Sequence, residues 1–375
     1  GSWSGTTGYP STGAFFEQRL YSAGNTDQPQ TFWASQTGNF ETHSPDSDPT
    51  AGTFDGTVQD DDALDFTISA DNVNAIRWMS AGEDTLSIGT TGGEWVPSST
   101  GAVITPSDVT VRRQTTHGSA QVVPVRVDNI VLFVQRAKRK IREFGFTFET
   151  DGYRAFDMTR LAQHITTGGI VEMDHAEEPD SQVWVVRADG QLPAMTFRRQ
   201  EDVVGWSRHI IGGSFGTGDA IVESVSVIAG TNGAGQTHDS TSRDEVWIQV
   251  KRTINSATVR YIEMFERDYE NTHDAKDAVY SDSCITYSGG STSTITGLGH
   301  LEGQTVKVWS NSAVQADKVV SSGSITLDNA STKVQIGLSF THKLATLKIE
   351  GGNKAGTSVG KTKRFRIRAK PFRID

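Results

Sequence analysis

The side chains that come closest to a chemical motif lie in two acidic stretches. The first, DDDALD (60–65), has the carboxylates of a calcium loop but lacks its central glycine and terminal glutamate. The second, HAEEPD (175–180), places two acids side by side, and two carboxyl groups roughly 5–10 Å apart can hydrolyse a glycosidic bond. Sequence does not give that separation. Both stretches are also typical of solvated turns before a strand, and we predict that each is such a turn.

Other catalytic patterns are incomplete. The nine histidines form no HExxH pair, no serine lies in a Gly-x-Ser-x-Gly elbow, and GGSFGTG (212–218) lacks the features of a nucleotide-binding loop, so we predict a plain loop there. SPDSDPTAGTF (44–54) and SRDEVW (242–247) approach the repeated Ser-x-Asp-x-Gly-x-Thr-Trp turn of sialidase-type propellers but miss its spacing or its glycine. We therefore predict no catalytic, cofactor-binding or metal-binding residues, no cofactor, and a protein that is not an enzyme.

The composition indicates which elements must carry these residues. The chain has 375 residues with 38 glycines and 35% hydrophobic residues, which favours many short strands joined by turns over long amphipathic helices. Cys284 is the only cysteine, which excludes an internal disulfide framework and a cysteine-rich zinc site. No apolar run approaches the roughly 18 residues of a membrane helix, so we expect no membrane insertion. Gly1-Ser2 resembles a cloning scar, and we expect a piece of a longer protein.

Five stretches share one plan, in which an apolar strand is followed by a polar or glycine turn and a second strand. Each predicts a β-hairpin. In the third hairpin Val131, Phe133, Ile141, Phe144 and Phe146 are apolar, whereas the basic residues crowd the predicted tip. The stretches are FFEQRLYSAGNTDQPQTFWASQ from Phe15, DTLSIGTTGGEWVPSS from Asp84, NIVLFVQRAKRKIREFGF from Asn129, SQVWVVRADGQLPAMTF from Ser181 and DEVWIQVKRTINSATVRYIEMF from Asp244.

The hairpins recur at intervals that favour a β-propeller. Equivalent points at Leu20, Leu86, Leu132, Trp184 and Trp247 are separated by 66, 46, 52 and 63 residues, and propeller blades repeat at about 40–50 residues plus loops. Each small sheet of a propeller buries both faces against neighbouring blades. A pair of β-sandwiches could be built from the same strands and remains the alternative.

Six tryptophans are predicted to fill the gaps between blades, because an indole buries a large apolar area. Between the hairpins we predict one short helix in RAFDMTRLAQHITTGG (154–169), with Asp157 or Thr159 near its N-terminal cap, and a loop at 229–244. The six tryptophans are Trp33, Trp78, Trp95, Trp184, Trp206 and Trp247.

The character of the chain changes after Phe265. We predict an all-β protein with a propeller-like body of short antiparallel sheets over 1–280, a small β-barrel or sandwich domain over 281–345, and a basic strand over 346–375 that returns to the body. From Lys343 to Asp375 there are ten basic and two acidic residues, a net charge of +8 within a total of −10, so residues 1–342 carry −18. The basic segment either contacts an acidic partner or forms a solvated strand face.

Taken in order, these landmarks resemble the tail nozzle proteins of short-tailed bacteriophages, also called tail tubular protein B. The resemblance extends from about Gly8 to Phe340, nearly the whole chain, and 284–340 also resembles a small structural β-domain of ubiquitin-activating enzymes. The landmarks are GYPSTGAFFEQRLYSAG, PQTFWASQTGNF, DDDALDFTISADNVNAIRWM, GGEWV, ITPSDVTVRRQTTHGS, VLFVQ, EPDSQVWVVRADGQLPAMTF, VRYIEMF and CITYSGGSTSTITGLGHLEGQTVKVW.

The resemblance implies a propeller-like structural protein of the virion, assembled in the host cytoplasm. It implies six copies in a ring below the portal and adaptor proteins, which conduct DNA during ejection and help to anchor tail fibres. The acidic body suits a conduit that does not hold DNA, because like charges repel over about 8–10 Å in ordinary salt. A glycan-binding or glycan-cleaving propeller and a receptor-binding adhesin remain the alternative functions.

Overall fold

The computed structural model describes residues 3–45, 57–101, 103–230, 243–266 and 274–341. Within these ranges the regular structure consists of 25 β-strands and three single turns of 3-10 helix, Phe148–Thr150, Ala275–Asp277 and Gly299–Leu301. The chain is therefore all-β, as its composition predicts. No helix in the described ranges is long and apolar enough to cross a bilayer.

Sheets 1 to 4 are four-stranded antiparallel meanders, and sheet 5 has three strands in the same order. Sheet 1 contains β1 Thr12–Phe16, β2 Arg19–Ala23, β3 Thr31–Ala34 and β4 Leu64–Thr67. Sheet 2 contains β5 Ile76–Ala81, β6 Leu86–Thr90, β7 Gly93–Ser98 and β8 Thr110–Thr115. Sheet 3 contains β9 Val125–Val127, β10 Ile130–Val134, β11 Ile141–Thr147 and β12 Gly152–Asp157. Sheet 4 contains β13 Ile170–Ala176, β14 Gln182–Arg187, β15 Leu192–Arg198 and β16 Val203–His209. After the short hairpin β17 Ser214–Phe215 and β18 Gly218–Asp219, sheet 5 contains β19 Ile221–Ile228, β20 Glu245–Ile254 and β21 Ala257–Met264.

The five predicted repeat points all fall on the second strand of a sheet. Leu20 lies on β2, Leu86 on β6, Leu132 on β10, Trp184 on β14 and Trp247 on β20. The first strands contact one another from sheet to sheet, β1 with β5, β9 with β13 and β13 with β19, and the outer strands β8 and β12 also meet. First strands inside and last strands outside define a propeller-like body.

Consecutive sheets share apolar cores. One core joins sheets 1 and 2, a second joins sheets 2 and 3, a third joins sheets 3 and 4, and a fourth joins sheets 4 and 5. Sheets 2, 3 and 4 therefore bury both faces, which explains why β6 and β10 are buried at every position. This arrangement excludes the alternative of two separate sandwiches, in which each sheet has one wet face.

Four of the six tryptophans lie between sheets as predicted. Trp78 and Trp95 pack in the cores on the two sides of sheet 2, Trp184 packs between sheets 4 and 5, and Trp206 packs against the core of sheets 3 and 4. Trp33 instead meets Trp3 of the N-terminal segment edge to face, with ring centroids 5.6 Å apart.

Trp247 is the second tryptophan whose position differs from the prediction. It is only half-buried, and its indole nitrogen donates to Glu245 Oε2 at 3.1 Å. On β20 it alternates with Val246 and Ile248, which take the face toward sheet 4. The period of two of a strand therefore places Trp247 on the opposite face.

The helix predicted over 154–169 is absent. Its first four residues belong to β12, where Ala155 enters the core between sheets 2 and 3, and the rest forms successive turns. The carboxylate of Asp157 accepts hydrogen bonds from the amide and hydroxyl of Thr159 at 2.9 and 2.6 Å. Asp157 and Thr159 thus form the predicted capping hydrogen bonds, but these bonds stabilise a turn that follows a strand. The strand forms because pairing of β12 with β11 outweighs the local helical pattern.

A sixth sheet with its own core follows the body. Its strands, in the order β22-β25-β23-β24, are β22 Asp282–Thr296, β23 Thr305–Ser310, β24 Ala313–Val319 and β25 Ser324–Leu338. Asp282 pairs with Leu338, so the chain enters and leaves this small β-domain at neighbouring positions. The boundaries at 280 and 345 stay a prediction. The chain divides into compact units at Ser339 and Phe340, and the predicted basic strand over 346–375 lies outside the described residues.

Candidate functional site

The acidic stretch 60–65 is held through its main chain. The buried guanidinium of Arg19 donates to the carbonyl oxygens of Ser35, Asp62 and Asp60 at 2.8, 2.5 and 2.6 Å. Asp62 is buried and accepts from the amide of Gln59 at 2.8 Å. The stretch is a turn that leads into β4, as predicted, but Asp62 is buried and not solvated. No group of three or more His, Cys, Asp or Glu that could hold a metal occurs among the described residues.

The stretch 175–180 forms the connection between β13 and β14. Asp244, which directly precedes β20 of sheet 5, accepts hydrogen bonds from the amides of Glu177 and Glu178 at 2.7 and 3.1 Å. His175 Nε2 lies 2.9 Å from Ser181 Oγ, and burial lowers the pKa of this histidine. The exposed acids thus lie in a turn fastened to the neighbouring sheet.

The glycine-rich stretch 212–218 joins the body to the small β-domain. The Gly212 amide donates to Asp282 Oδ2 at 2.6 Å, and the Gly212 carbonyl accepts from Arg252 Nε at 2.8 Å. Arg252 is fully buried and makes a bidentate ion pair with Glu263, with nitrogen–oxygen distances of 2.5 and 2.9 Å. A side chain at Gly213, where φ is +95°, would contact Arg252.

A second set of hydrogen bonds lies between sheet 5 and the small β-domain. The Tyr261 hydroxyl donates to the His300 carbonyl at 2.8 Å, and His300 Nε2 lies 3.1 Å from the Ser283 carbonyl oxygen. Burial raises the pKa of Tyr261, which therefore stays a donor at neutral pH. Sheet 5 and the small β-domain are thus linked by directional hydrogen bonds as well as by packing.

A buried carboxylate lies at the junction of sheets 2 and 3. Glu94 on β7 accepts hydrogen bonds from the hydroxyls of Thr115 and Ser119, the second at 3.0 Å. Burial raises the pKa of Glu94, and these hydrogen bonds oppose the rise. A raised pKa is common at catalytic acids, but the contacts of Glu94 connect β7, β8 and the chain that leads into sheet 3.

An aromatic ladder runs from the core to the surface of sheet 3. We give this name to Phe144, Tyr153, Phe146 and Phe148. Phe144 is buried and stacks on Tyr153 with ring centroids 5.0 Å apart, and Phe146 meets Tyr153 at 5.6 Å and Phe148 at 5.3 Å, edge to face in both cases. Phe146 is 39% exposed and Phe148 is 91% exposed. A phenyl ring in solvent is therefore braced by rings that continue into the core.

Sheet 1 carries a smaller exposed pair. Phe15 on β1 and Phe40 are 65% and 45% exposed, and their rings meet edge to face at 5.2 Å. Ala14 and Phe16, the neighbours of Phe15 in β1, face the core shared with sheet 2. Phe15 therefore points from the other face of the sheet.

Some of these contacts could be expected from the sequence. The strand period in VWIQVKRTI places Arg252 on the same face as Val246, Ile248 and Val250, which signals a buried charge that needs a partner. From the sequence, Phe144 and Phe146 are identified only as apolar residues of the third hairpin, and the ladder is not predicted. Two phenylalanines at alternate positions that extend past a strand end were the available signal.

Comparison with known proteins identifies no family for this chain. No family model and no curated protein matches it. Similar solved structures include a β-propeller domain of Cps50 (Swd1) from Myceliophteria thermophila, with 10% identity and a TM-score of 0.32 over 70% of this chain and 74% of that chain. A protein from Lactobacillus plantarum has 8% identity and a TM-score of 0.39 over 87% of both chains. A luciferin-regenerating enzyme has 9% identity and a TM-score of 0.23 over 64% of this chain and 83% of that chain. The propeller-like class therefore rests on the sheets and cores described above.

Proposed function

We propose that this chain is a structural component of the tail nozzle of a short-tailed bacteriophage. In this role it forms part of a ring, with six copies as the expected number, that conducts DNA during ejection. The portal and adaptor proteins and the tail fibres are the proposed neighbours, and the virion tail is the proposed location. The ordered sequence resemblance to tail tubular protein B is the origin of this proposal.

The observation that carries the proposal is the aromatic ladder. An exposed phenylalanine whose ring is fixed by a chain of aromatic contacts loses little conformational entropy on binding. Such aromatic anchors contribute much of the binding energy of protein interfaces. Phe148 has this character, because it is 91% exposed and meets Phe146 at 5.3 Å. A structural role in an assembly requires such anchors on a stiff body.

The stiffness of the body supports the same role. Four apolar cores join five sheets in succession, and Arg252, held within sheet 5 by its ion pair with Glu263, donates to Gly212, whose amide donates to Asp282 of the small β-domain. Removing one member of a buried ion pair leaves an uncompensated charge. This joint therefore resists local opening, which suits a part that transmits force between neighbours.

Immunolabelling of virions tests the location. Antibodies raised against this chain should label phage tails on the axis below the head in negative-stain images. Label confined to fibre tips would favour a receptor-binding adhesin and contradict the nozzle. A glycan array combined with a hydrolysis assay tests the remaining alternative, and a bound or cleaved glycan would also contradict the proposal.

The substitution Phe148→Ser tests the anchor. We expect the variant to fold normally and to enter tails at least about tenfold less efficiently in a phage complementation assay, because hot-spot aromatic residues commonly contribute 2 kcal/mol or more. The matched control is Val314→Ser, which changes a side chain that is 75% exposed on the small β-domain. Equal incorporation of both variants would show that the ladder is not an assembly contact.

A further inference from the structure

A small cavity of about 260 Å³ lies where the first strands of sheets 1 and 2 begin and the chain approaches sheet 3. It is separate from the aromatic ladder, which lies on the outer strands of sheet 3. Typical ligand pockets have roughly 300–1,000 Å³, so this cavity fits a small ligand. Its walls are formed by Ser11, Gly24, Asn25, Thr26, Pro29, Ala75, Ile76, Arg77 and Gln121.

The lining is rich in hydrogen-bond donors and contains no carboxylate. Arg77 is its only charged residue, accompanied by the hydroxyls of Ser11 and Thr26 and the amide of Gln121. The whole protein has 45 acidic and 35 basic residues. The lining of this cavity therefore carries a positive charge, whereas the whole protein is negatively charged.

The arginine is positioned from two sides. Arg77 follows Ile76 at the start of β5, and the Ile76 amide donates to the Pro29 carbonyl at 2.8 Å, which fixes this end of the strand. Arg77 Nη1 donates to Gln121 Oε1 at 3.1 Å. No acidic partner of Arg77 occurs among the described ion pairs. A guanidinium has five N–H donors, so donors remain for a ligand.

Gly24 keeps the cavity open. Its φ is +70°, and an added Cβ would lie 3.0 Å from Ser11 Oγ and 2.9 Å from the Ile76 carbonyl oxygen. A larger residue would thus press on both walls as well as strain the backbone. The close approach of these walls brings Ser11 and Ile76 to the two sides of Gly24 in the lining.

We propose that this cavity binds a small ligand through one oxyanion group, a carboxylate or a phosphate. The planar fork of Arg77 would donate to two of its oxygens, and the neutral hydroxyls and the Gln121 amide group would donate hydrogen bonds to the remaining acceptor positions without adding charge. The volume of about 260 Å³ accommodates a group of about the size of a monosaccharide acid. This site does not depend on the assembly role, and either proposal can fail without the other.

Ligand-dependent thermal unfolding of the full chain tests the site. Inorganic phosphate, acetate and glucuronate are titrated at constant ionic strength, with glucose as the neutral control, and calorimetric titration confirms any binding. Comparing the phosphate titration with the acetate and glucuronate titrations shows whether the site prefers a phosphate or a carboxylate. We expect at least one anion to raise the unfolding midpoint of the wild-type protein by mass action, and glucose to leave it unchanged.

Three variants test whether the effect comes from the cavity. Arg77→Gln should weaken the binding of that anion about tenfold or more, because a charge-assisted bidentate contact is lost. Arg112→Gln removes an exposed arginine on β8 of the same sheet and should leave the binding unchanged. Arg77→Lys, which keeps the charge without the fork, should weaken binding less than Arg77→Gln. The proposal is overturned if no anion binds, or if the anion binds Arg77→Gln as tightly as it binds the wild type.

Discussion

Three buried arginines act as cross-links between segments of main chain. Arg19 donates to the carbonyl of Ser35 and to carbonyls within the acidic turn, Arg187 donates to the Ile165 carbonyl at 2.5 Å, and Arg252 donates to the Gly212 carbonyl. Carbonyl oxygens in turns lack partners from a sheet, and a guanidinium supplies several donors at once. At the residue scale, buried charge in this protein therefore serves to hold connections in place.

The buried Glu94 leads to a prediction about pH. Its pKa is raised above the ordinary value of 4.5, so the folded state binds a proton that the unfolded state has released in the window above pH 4.5. The contribution of Glu94 to wild-type stability should therefore fall as pH rises through that window. A glutamine at this position remains neutral.

We expect Glu94→Gln to exceed the wild type in free energy of unfolding at pH 7, and the difference to shrink as pH falls toward and below 4.5. Urea denaturation at a series of pH values measures it. Glu149→Gln, at an exposed site, is the control and should show no such trend. A difference that is the same at every pH would contradict the assignment.

At the scale of elements, each sheet depends on the next. Phe133 on β10 is buried in the core shared with sheet 2, and its ring centroid lies 5.4 Å from that of Trp78. Gly89 leaves room for Trp78, because an added Cβ would lie 2.0 Å from the indole. Close packing of this kind makes the contact between two sheets sensitive to a single side chain.

We predict that Phe133→Ala lowers the free energy of unfolding by about 3–5 kcal/mol, the range for removing a buried phenylalanine. Phe148→Ala, on the exposed end of the ladder in the same sheet, should change it by about 0.5 kcal/mol or less. Equilibrium urea unfolding of both variants makes the comparison. Similar losses in the two variants would show that Phe148 supports the fold.

At the scale of the whole molecule, charge sets how the protein meets DNA. The net charge is −10, the sum of −18 over residues 1–342 and +8 over residues 343–375. Binding to duplex DNA relies on basic side chains that neutralise phosphates and release counterions. An acidic surface instead repels the duplex, as the proposed conduit requires.

We therefore expect this protein to bind a duplex of about 20 base pairs more weakly than about 100 μM in ordinary salt, the weak end of non-specific binding. Fluorescence anisotropy at decreasing salt concentrations measures this, with a basic DNA-binding protein as the positive control. Sub-micromolar binding at low salt would contradict a non-adhesive conduit.

The sequence by itself determined the local structure of this protein. Alternation of apolar and polar residues identified five hairpins, and the repeat points from Leu20 to Trp247 all fell on second strands. The turn before β4 was also predictable, because acids followed by alternating apolar residues define where a strand begins. These features depend on side-chain period and turn chemistry, which act within a few residues.

Only the tertiary structure decided which surfaces meet. The segment 154–169 became a strand and turns because Ala155 is needed in the core beside sheet 2, and Trp33 packs on Trp3 although its type suited a gap between blades. The cavity lined by Arg77 also combines segments that belong to separate sheets. Such contacts depend on the relative placement of whole sheets, which no local pattern encodes.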